Sequence, residues 1–194
     1  MRSTKSSSSA APYWKPCNVT LETLSTPPGS PMGQPIVVLT TGGTIDKIYF
    51  DALSQYQIGE SVVRRLLEIG RVAYPFRIVE VFRKDSLDLT AEDREIIRAK
   101  VLELPTNRVV ITHGTDTMTE TARVLAGIRD KTIVFVGALA PARFSESDAT
   151  FNLGMAFATA QAAAPGVYIT MSGQVFRANE VHKDHAAGRF VPNE

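Results

Sequence analysis

Two short stretches carry residue types that can do chemistry. The first is "TTGGTID", residues 40–46, at the end of the apolar run "PIVVLT". The second is "THGTDT", residues 112–117, at the end of "RVVIT". A tight connection needs one glycine; it does not need several threonines around two. The Thr44 hydroxyl can attack a carbonyl carbon if another group takes its proton. Gly42 and Gly43 let the backbone come close to a ligand and turn N–H groups inward. Thr115 and Asp116 stand where a helical pattern begins, and backbone N–H groups there can bind an anion or a developing oxyanion. Taken alone, Asp116 reads as a simple N-cap. His113 reads as a hydrogen-bonded histidine at a strand end rather than as a base.

A threonine alone is a poor nucleophile. Lys183, in "VHKDH", reads on its own as a surface lysine. Buried beside Thr115 and Asp116 it would become an activator, since desolvation lowers a lysine pKa while a nearby carboxylate raises it. Tyr49 and Tyr56 lie in "KIYFDALSQYQIG", a segment without strong periodicity that suits a lid. No GxxxxGK[ST] phosphate loop and no GxGxxG is present. His113, His182 and His185 have no zinc-type spacing, and no Ser/His/Asp set is evident.

The elements that must position these groups follow from hydrophobic period. Buried-type strands are expected at 35–40, 76–82, 108–112, 132–137 and 166–171. Helices are expected at 59–69, 90–104, 116–128 and 149–164, the second with Thr90 as N-cap. This alternation predicts an α/β fold: a three-layer, flavodoxin-like or Rossmann-like, mainly parallel sheet of about five strands with right-handed crossovers. Ligands in such sheets bind beyond the carboxyl ends of the strands, near the switch in strand order. The stretches around Thr44, Lys84–Asp85, Thr115–Asp116 and Lys183 all fall on that edge.

Composition narrows the class. The chain has 194 residues, 44% hydrophobic and 21% charged, enough for one domain with a sizeable core. A net charge of +1 with scattered Lys and Arg argues against nucleic acid or an anionic membrane as partner. No apolar run approaches the ~18–20 residues of a membrane span. Residues 1–34 contain "SSSSAAP" and "STPPGSP" and read as a disordered, low-complexity extension, with 35–194 as the catalytic domain. The Ser-rich, acid-poor start also suits an organelle transit segment, but no apolar h-region follows it, so a cytoplasmic location is expected. The single cysteine, Cys17, allows no intrachain disulfide and is given no chemistry.

"TTGGTID" together with "ITHGTDTMTETA" resembles the paired signature of the bacterial-type L-asparaginase family. The likeness extends through "VFVGALAP", "SDATFNLGMA" and "GVYITMSGQVFRANEVHK", about residues 35–185. The resemblance implies an amidohydrolase without cofactor or metal that takes part in asparagine catabolism. It would release ammonia from L-asparagine through a threonine nucleophile and an acyl-enzyme, giving L-aspartate. It implies Thr44 as nucleophile, Tyr56 as assisting lid tyrosine with Tyr49 as runner-up, and Thr115, Asp116 and Lys183 as a second triad. Thr115 would activate water or position the amide, and Asp116 would bind the substrate α-ammonium. It also implies a homodimer or homotetramer.

Two departures from the family pattern stand out. Where the family commonly has Ser-Gln, this chain has Lys84-Asp85. Asp85 is expected to bind an α-ammonium by charge, and Lys84 to point to solvent or meet the α-carboxylate. The usual smaller C-terminal domain is not in the sequence, which suggests a short, single-domain form in which Asp85 partly replaces an acid from that domain. Two alternatives stay open: a related ω-amidase or glutaminase, and a non-catalytic amino-acid-binding domain.

Overall fold

Short runs of Val, Ile and Leu form the strands, and longer periodic segments return the chain between them. The structure is a computed structural model that describes residues 34–50 and 55–193. The expected N-terminal extension, with Cys17, lies outside the described residues apart from Gln34. In chain order the elements are β1 (Ile36–Gly42), β2 (Lys47–Phe50), β3 (Gln55–Ile58), α1 (Val63–Ile69), β4 (Phe76–Lys84), α2 (Ala91–Glu103), β5 (Arg108–Thr112) and α3 (Met118–Val124). They continue with β6 (Thr132–Val136), α4 (Ala149–Ala162), β7 (Gly166–Met171), β8 (Gln174–Arg177), β9 (Val181–Asp184) and β10 (Arg189–Pro192).

The central sheet has six strands in the order β4-β1-β5-β6-β7-β8. All neighbours pair in parallel except β8, which runs antiparallel to β7. The expected parallel strands are therefore present, and a sixth closes one edge. Taken in chain order, the parallel strands stand second, first, third, fourth, fifth, the flavodoxin-like order. Its switch point lies between β1 and β5. The carboxyl ends of those two strands carry the two threonine-glycine motifs.

Because side chains alternate along a strand, each buried strand feeds both layers. Val37, Leu39, Val109, Ile111, Ile133 and Phe135 pack with Ile97 and Val101 of α2 and Met118 and Ala122 of α3. Ile36, Val38, Val110, Val134 and Val136 pack on the other side with Val63 and Leu66 of α1 and Leu153 and Phe157 of α4. Thr90 caps α2 in a capping box with Asp93, as the Thr-x-x-acid spacing requires.

One expectation fails. The connection from β1 to β4 crosses the α1 face in one direction along the sheet. The connections through α2 and α3 cross the opposite face in the other direction, so these three share one hand. The β6–α4–β7 connection runs in the same direction as the α2 and α3 connections but on the α1 face. It therefore has the opposite hand, against the expectation of uniform right-handed crossovers. The reason is occupancy. Phe176, Ala178, Val181 and Phe190 fill the α3 side of the sheet beside β7, where a helix of the usual hand would lie.

The segment in that place carries Lys183. β9 is held by β10, with Phe190 opposite Lys183 in the antiparallel register. Phe190 is 1% exposed. Phe190→Ala is expected to cost about 3–5 kcal/mol by opening a cavity. It should lower the thermal midpoint and weaken any activity that depends on Lys183, measured by calorimetry and turnover of the same preparation.

Candidate active site

The β1 strand ends in a turn that only glycine can make. Gly42 and Gly43 have φ of 99° and 84°. A Cβ on Gly42 would collide with the Lys84 backbone, and one on Gly43 would overlap the Gly114 backbone. The Gly43 N–H donates to the Lys84 carbonyl at 3.1 Å. The glycines thus bring chain against chain, and the Gly43 N–H is spent inside the fold. This corrects the expectation that the pair turns its N–H groups toward a ligand: at position 43 the neighbouring strand already accepts the hydrogen bond.

The threonines divide in the same way. Thr41 Oγ1 donates to the Thr112 carbonyl at 2.8 Å and ties the ends of β1 and β5 together. Thr117 Oγ1 donates to the Ser86 carbonyl at 2.7 Å, fastening the second motif to the turn after β4. Thr44 opens a single 3-10 turn, Thr44–Asp46, and is half-buried. Among the described residues its hydroxyl has no hydrogen-bond partner. The turn is pinned at its middle and its last residue. The Ala142 N–H donates to the Ile45 carbonyl at 3.2 Å, and the buried Asp46 carboxylate accepts from the Val62 N–H at 3.0 Å. Burial pushes the Asp46 carboxyl above its ordinary range.

The second motif meets β9. Lys183 Nζ donates to Thr115 Oγ1 at 2.9 Å and lies 2.5 Å from Asp116 Oδ1. The Lys183 side chain is 14% exposed and that of Asp116 35%. Thr115 is buried. Asp116 is not the N-cap of α3, because the helix starts two residues later with Thr117 at the capping position. Its carboxylate turns to the ammonium instead. Thr115 therefore accepts from a cation while keeping its own proton to donate. Gly43 packs on Gly114, next to Thr115, so the two motifs abut.

Lys84, Asp85 and Tyr56 lie together elsewhere on this edge, lining a cavity of about 340 Å³ with Lys47 and Arg83. Lys84 does not point free into solvent. Its Nζ makes a two-oxygen ion pair with Asp93 at 2.8 and 2.9 Å, because the Asp93 that boxes Thr90 lies within its reach. Asp85 is also engaged: Oδ2 pairs with Lys47 at 2.7 Å and Oδ1 accepts from the Leu87 N–H at 3.2 Å. Although burial raises the Asp85 carboxyl, hydrogen bonds from Lys47 and the turn outweigh it and hold the group below its ordinary range. A substrate ammonium meeting Asp85 must share it with Lys47.

The expected lid is a two-stranded hairpin, β2–β3, with Tyr49 and Tyr56 directly opposite each other. Tyr56 is 52% exposed, with its ring edge-on to Phe144 at 6.4 Å. Ser86 was not among the expected residues. Its Oγ is buried without a partner among the described residues and sits against Gly114. A small hydroxyl residue after two charged ones gives little signal in sequence; the contact with a glycine of another motif is what marks it.

His113 is fully buried. Nδ1 lies 2.7 Å from the Gly114 carbonyl, which can only accept, so Nδ1 carries the proton. Nε2, 2.8 Å from Thr121 Oγ1, then accepts from that hydroxyl. Both ring nitrogens are used in holding the second motif. Burial lowers the His113 pKa to about 4.

The sheet order and the paired threonine motifs at its switch point define an α/β domain with hydroxyl-bearing loops at the carboxyl edge of the sheet. The chain belongs to the asparaginase N-terminal domain family, which it matches over residues 35–190. It is 34% identical over 161 residues to L-asparaginase 2 of Escherichia coli, covering 76% of this chain and 46% of that protein. It is 37% identical over 169 residues to a glutaminase-asparaginase of Acinetobacter glutaminasificans, covering 76% and 49%. The fold is similar to that of the thermostable L-asparaginase from Thermococcus kodakarensis, with a TM-score of 0.72 at 26% identity over 82% of this chain and 51% of that one. The chain thus spans about half the length of the relatives it matches.

The buried neutral His113 makes folding pH-dependent. Its folded pKa lies below the unfolded value of 6.5, so only the unfolded chain takes up the proton between them. Stability from this site is complete above pH 6.5 and is lost as pH falls through about 4, up to roughly 3 kcal/mol. Urea unfolding of wild type and His113→Gln across this window measures it; the variant should lack that part of the acid-side loss.

Proposed function

We propose that this domain hydrolyses the side-chain amide of L-asparagine to L-aspartate and ammonia. The observation that carries the reading is the Lys183 contact with Thr115 and Asp116, one residue from where the Gly43–Thr44 turn packs on the second motif. Thr44 Oγ attacks the carboxamide carbon and forms an ester. The C–N bond breaks, and the hydroxyl proton is passed on to the leaving ammonia. Water then attacks the ester carbonyl, returns a proton to Thr44 Oγ and releases aspartate. Thr115, within proton-transfer distance of Lys183, serves to position the amide or activate that water.

Tyr56 is assigned to the hairpin side of the pocket as the residue assisting Thr44, and Asp116 to the substrate α-ammonium. Asp85 contributes to the same charge through its shared pair with Lys47, and Lys84 supports it from its pair with Asp93. The buried Ser86 hydroxyl is available to a substrate polar group. Glutamine is the second reading, favoured by relatives named glutaminase-asparaginase. One added methylene changes binding by only ~1–3 kcal/mol.

A cytoplasmic location agrees with the name of one structural relative, a probable cytoplasmic L-asparaginase from Campylobacter jejuni. A Haemophilus influenzae relative is named as probably periplasmic; fractionation of cells separates the two. Among the described residues no helix is long and apolar enough to cross a membrane. A homodimer or homotetramer is proposed, and sedimentation would read it directly.

Ammonia release from asparagine and glutamine, assayed side by side, tests the reading. Thr44→Ala and Thr115→Ala should each lower kcat by about a thousandfold or more while the melting curve stays in place. Aspartate raising the melting temperature of wild type with no ammonia formed would make this a binding domain instead. Asp85→Asn should raise KM severalfold, with little change for Lys84→Ala. An unchanged KM in Asp85→Asn would restrict that carboxylate to holding Lys47.

A further inference from the structure

A second cavity lies at the opposite, amino-terminal edge of the sheet. It measures about 410 Å³ and is rimmed by Arg123, Arg129 and Arg177 over a floor that includes Ala122, Val167 and Ala178. It sits where β7 begins and where β8, running antiparallel, ends. Nothing described for the proposed amidase touches it.

Its electrostatics are one-sided. Among the described residues no acidic side chain lines it, and Asp130 and Glu180, nearby in sequence, stay outside the lining. Among the described residues none of the three guanidiniums takes part in an ion pair. Elsewhere Arg83, Arg94 and Arg98 find carboxylates while others such as Arg65 and Arg143 do not; what sets this place apart is three unpaired guanidiniums around one cavity. Arg177 is oriented by the ring of Tyr168, 5.6 Å from its guanidinium carbon. The net charge of the chain is +1, so three uncompensated cations around one cavity are a local concentration, not a reflection of a basic protein.

We propose that this cavity binds a small polyanion, a molecule carrying two or more phosphate or carboxylate groups. Planar guanidiniums bind both groups through paired N–H donors, and several of them around one anion relieve their mutual repulsion. The volume falls at the compact end of small-molecule sites, which run to about 300–1,000 Å³. The walls are the far ends of α3 and of the segment leading to β9. The near ends of those two pieces carry Asp116 and Lys183, so a bound anion braces both.

Calorimetric titration of the full chain with pyrophosphate and with citrate, at low ionic strength, tests this. The expected result is saturable one-to-one binding of at least one of the two. Pyrophosphate preference assigns a phosphorylated ligand and citrate preference a polycarboxylate. The double variant Arg123→Gln/Arg177→Gln, exposed at both positions and checked by its melting curve, should bind at least tenfold more weakly. Arg65→Gln, on the α1 face, should bind as wild type does. No saturable binding of either probe would overturn the proposal. So would equal weakening by Arg65→Gln, or tighter binding of single-stranded RNA than of both small anions.

Discussion

The candidate site depends on one buried-edge contact: an ammonium held between a hydroxyl and a carboxylate. Lys183 reaches Thr115 and Asp116 across 68 and 67 residues of chain. A lysine tethered this way loses several rotatable bonds of freedom. The fold offsets that cost by fixing both ends. Thr115 and Asp116 are set by the buried His113, whose neutral ring bridges the Gly114 carbonyl and Thr121. Lys183 is set by the β9–β10 ladder and the core residue Phe190.

Topology makes that contact reachable. A fifth parallel strand reached by a helix of the usual hand would cover the α3 side of β7. Here α4 takes the other face, and the chain after β7 folds back beside α3. The opposite-handed crossover and the position of Lys183 are therefore one structural fact seen twice. At the switch between β1 and β5, Thr41 and the Gly43–Gly114 contact draw the two motifs together. Thr40 and Thr44 keep hydroxyls without a hydrogen-bond partner among the described residues, and of the two only Thr44 is not fully buried.

Much of this was legible in sequence because the buried strands are continuous β-branched runs. The parallel strands fall where hydrophobic period placed them, within a residue or two. The hairpin β2–β3 and the short strands β8, β9 and β10 carry no periodic signal of their own in the sequence. "VHKD" has no alternation to mark it as a strand, and its pairing with "RFVP" is visible only once both lie on the sheet. The hand of the last crossover was hidden for a similar reason: it depends on what fills the other face. Helix α1 begins later than its apolar period suggests because Asp46 and its carbonyl hold residues 59–62 in a non-helical approach. Site chemistry was read from residue type, and type does not report partners. From type alone Lys84 and Asp85 read as available to a ligand, whereas in the fold Asp93 and Lys47 pair with them.

The central claim is that Thr44 and the Lys183 cluster act on one bound amide. Rapid quench of the reacting protein, followed by mass spectrometry of its peptides, observes the covalent step itself. The account predicts an aspartyl ester on Thr44. An ester on Thr115, or turnover that never acylates the protein, would contradict it.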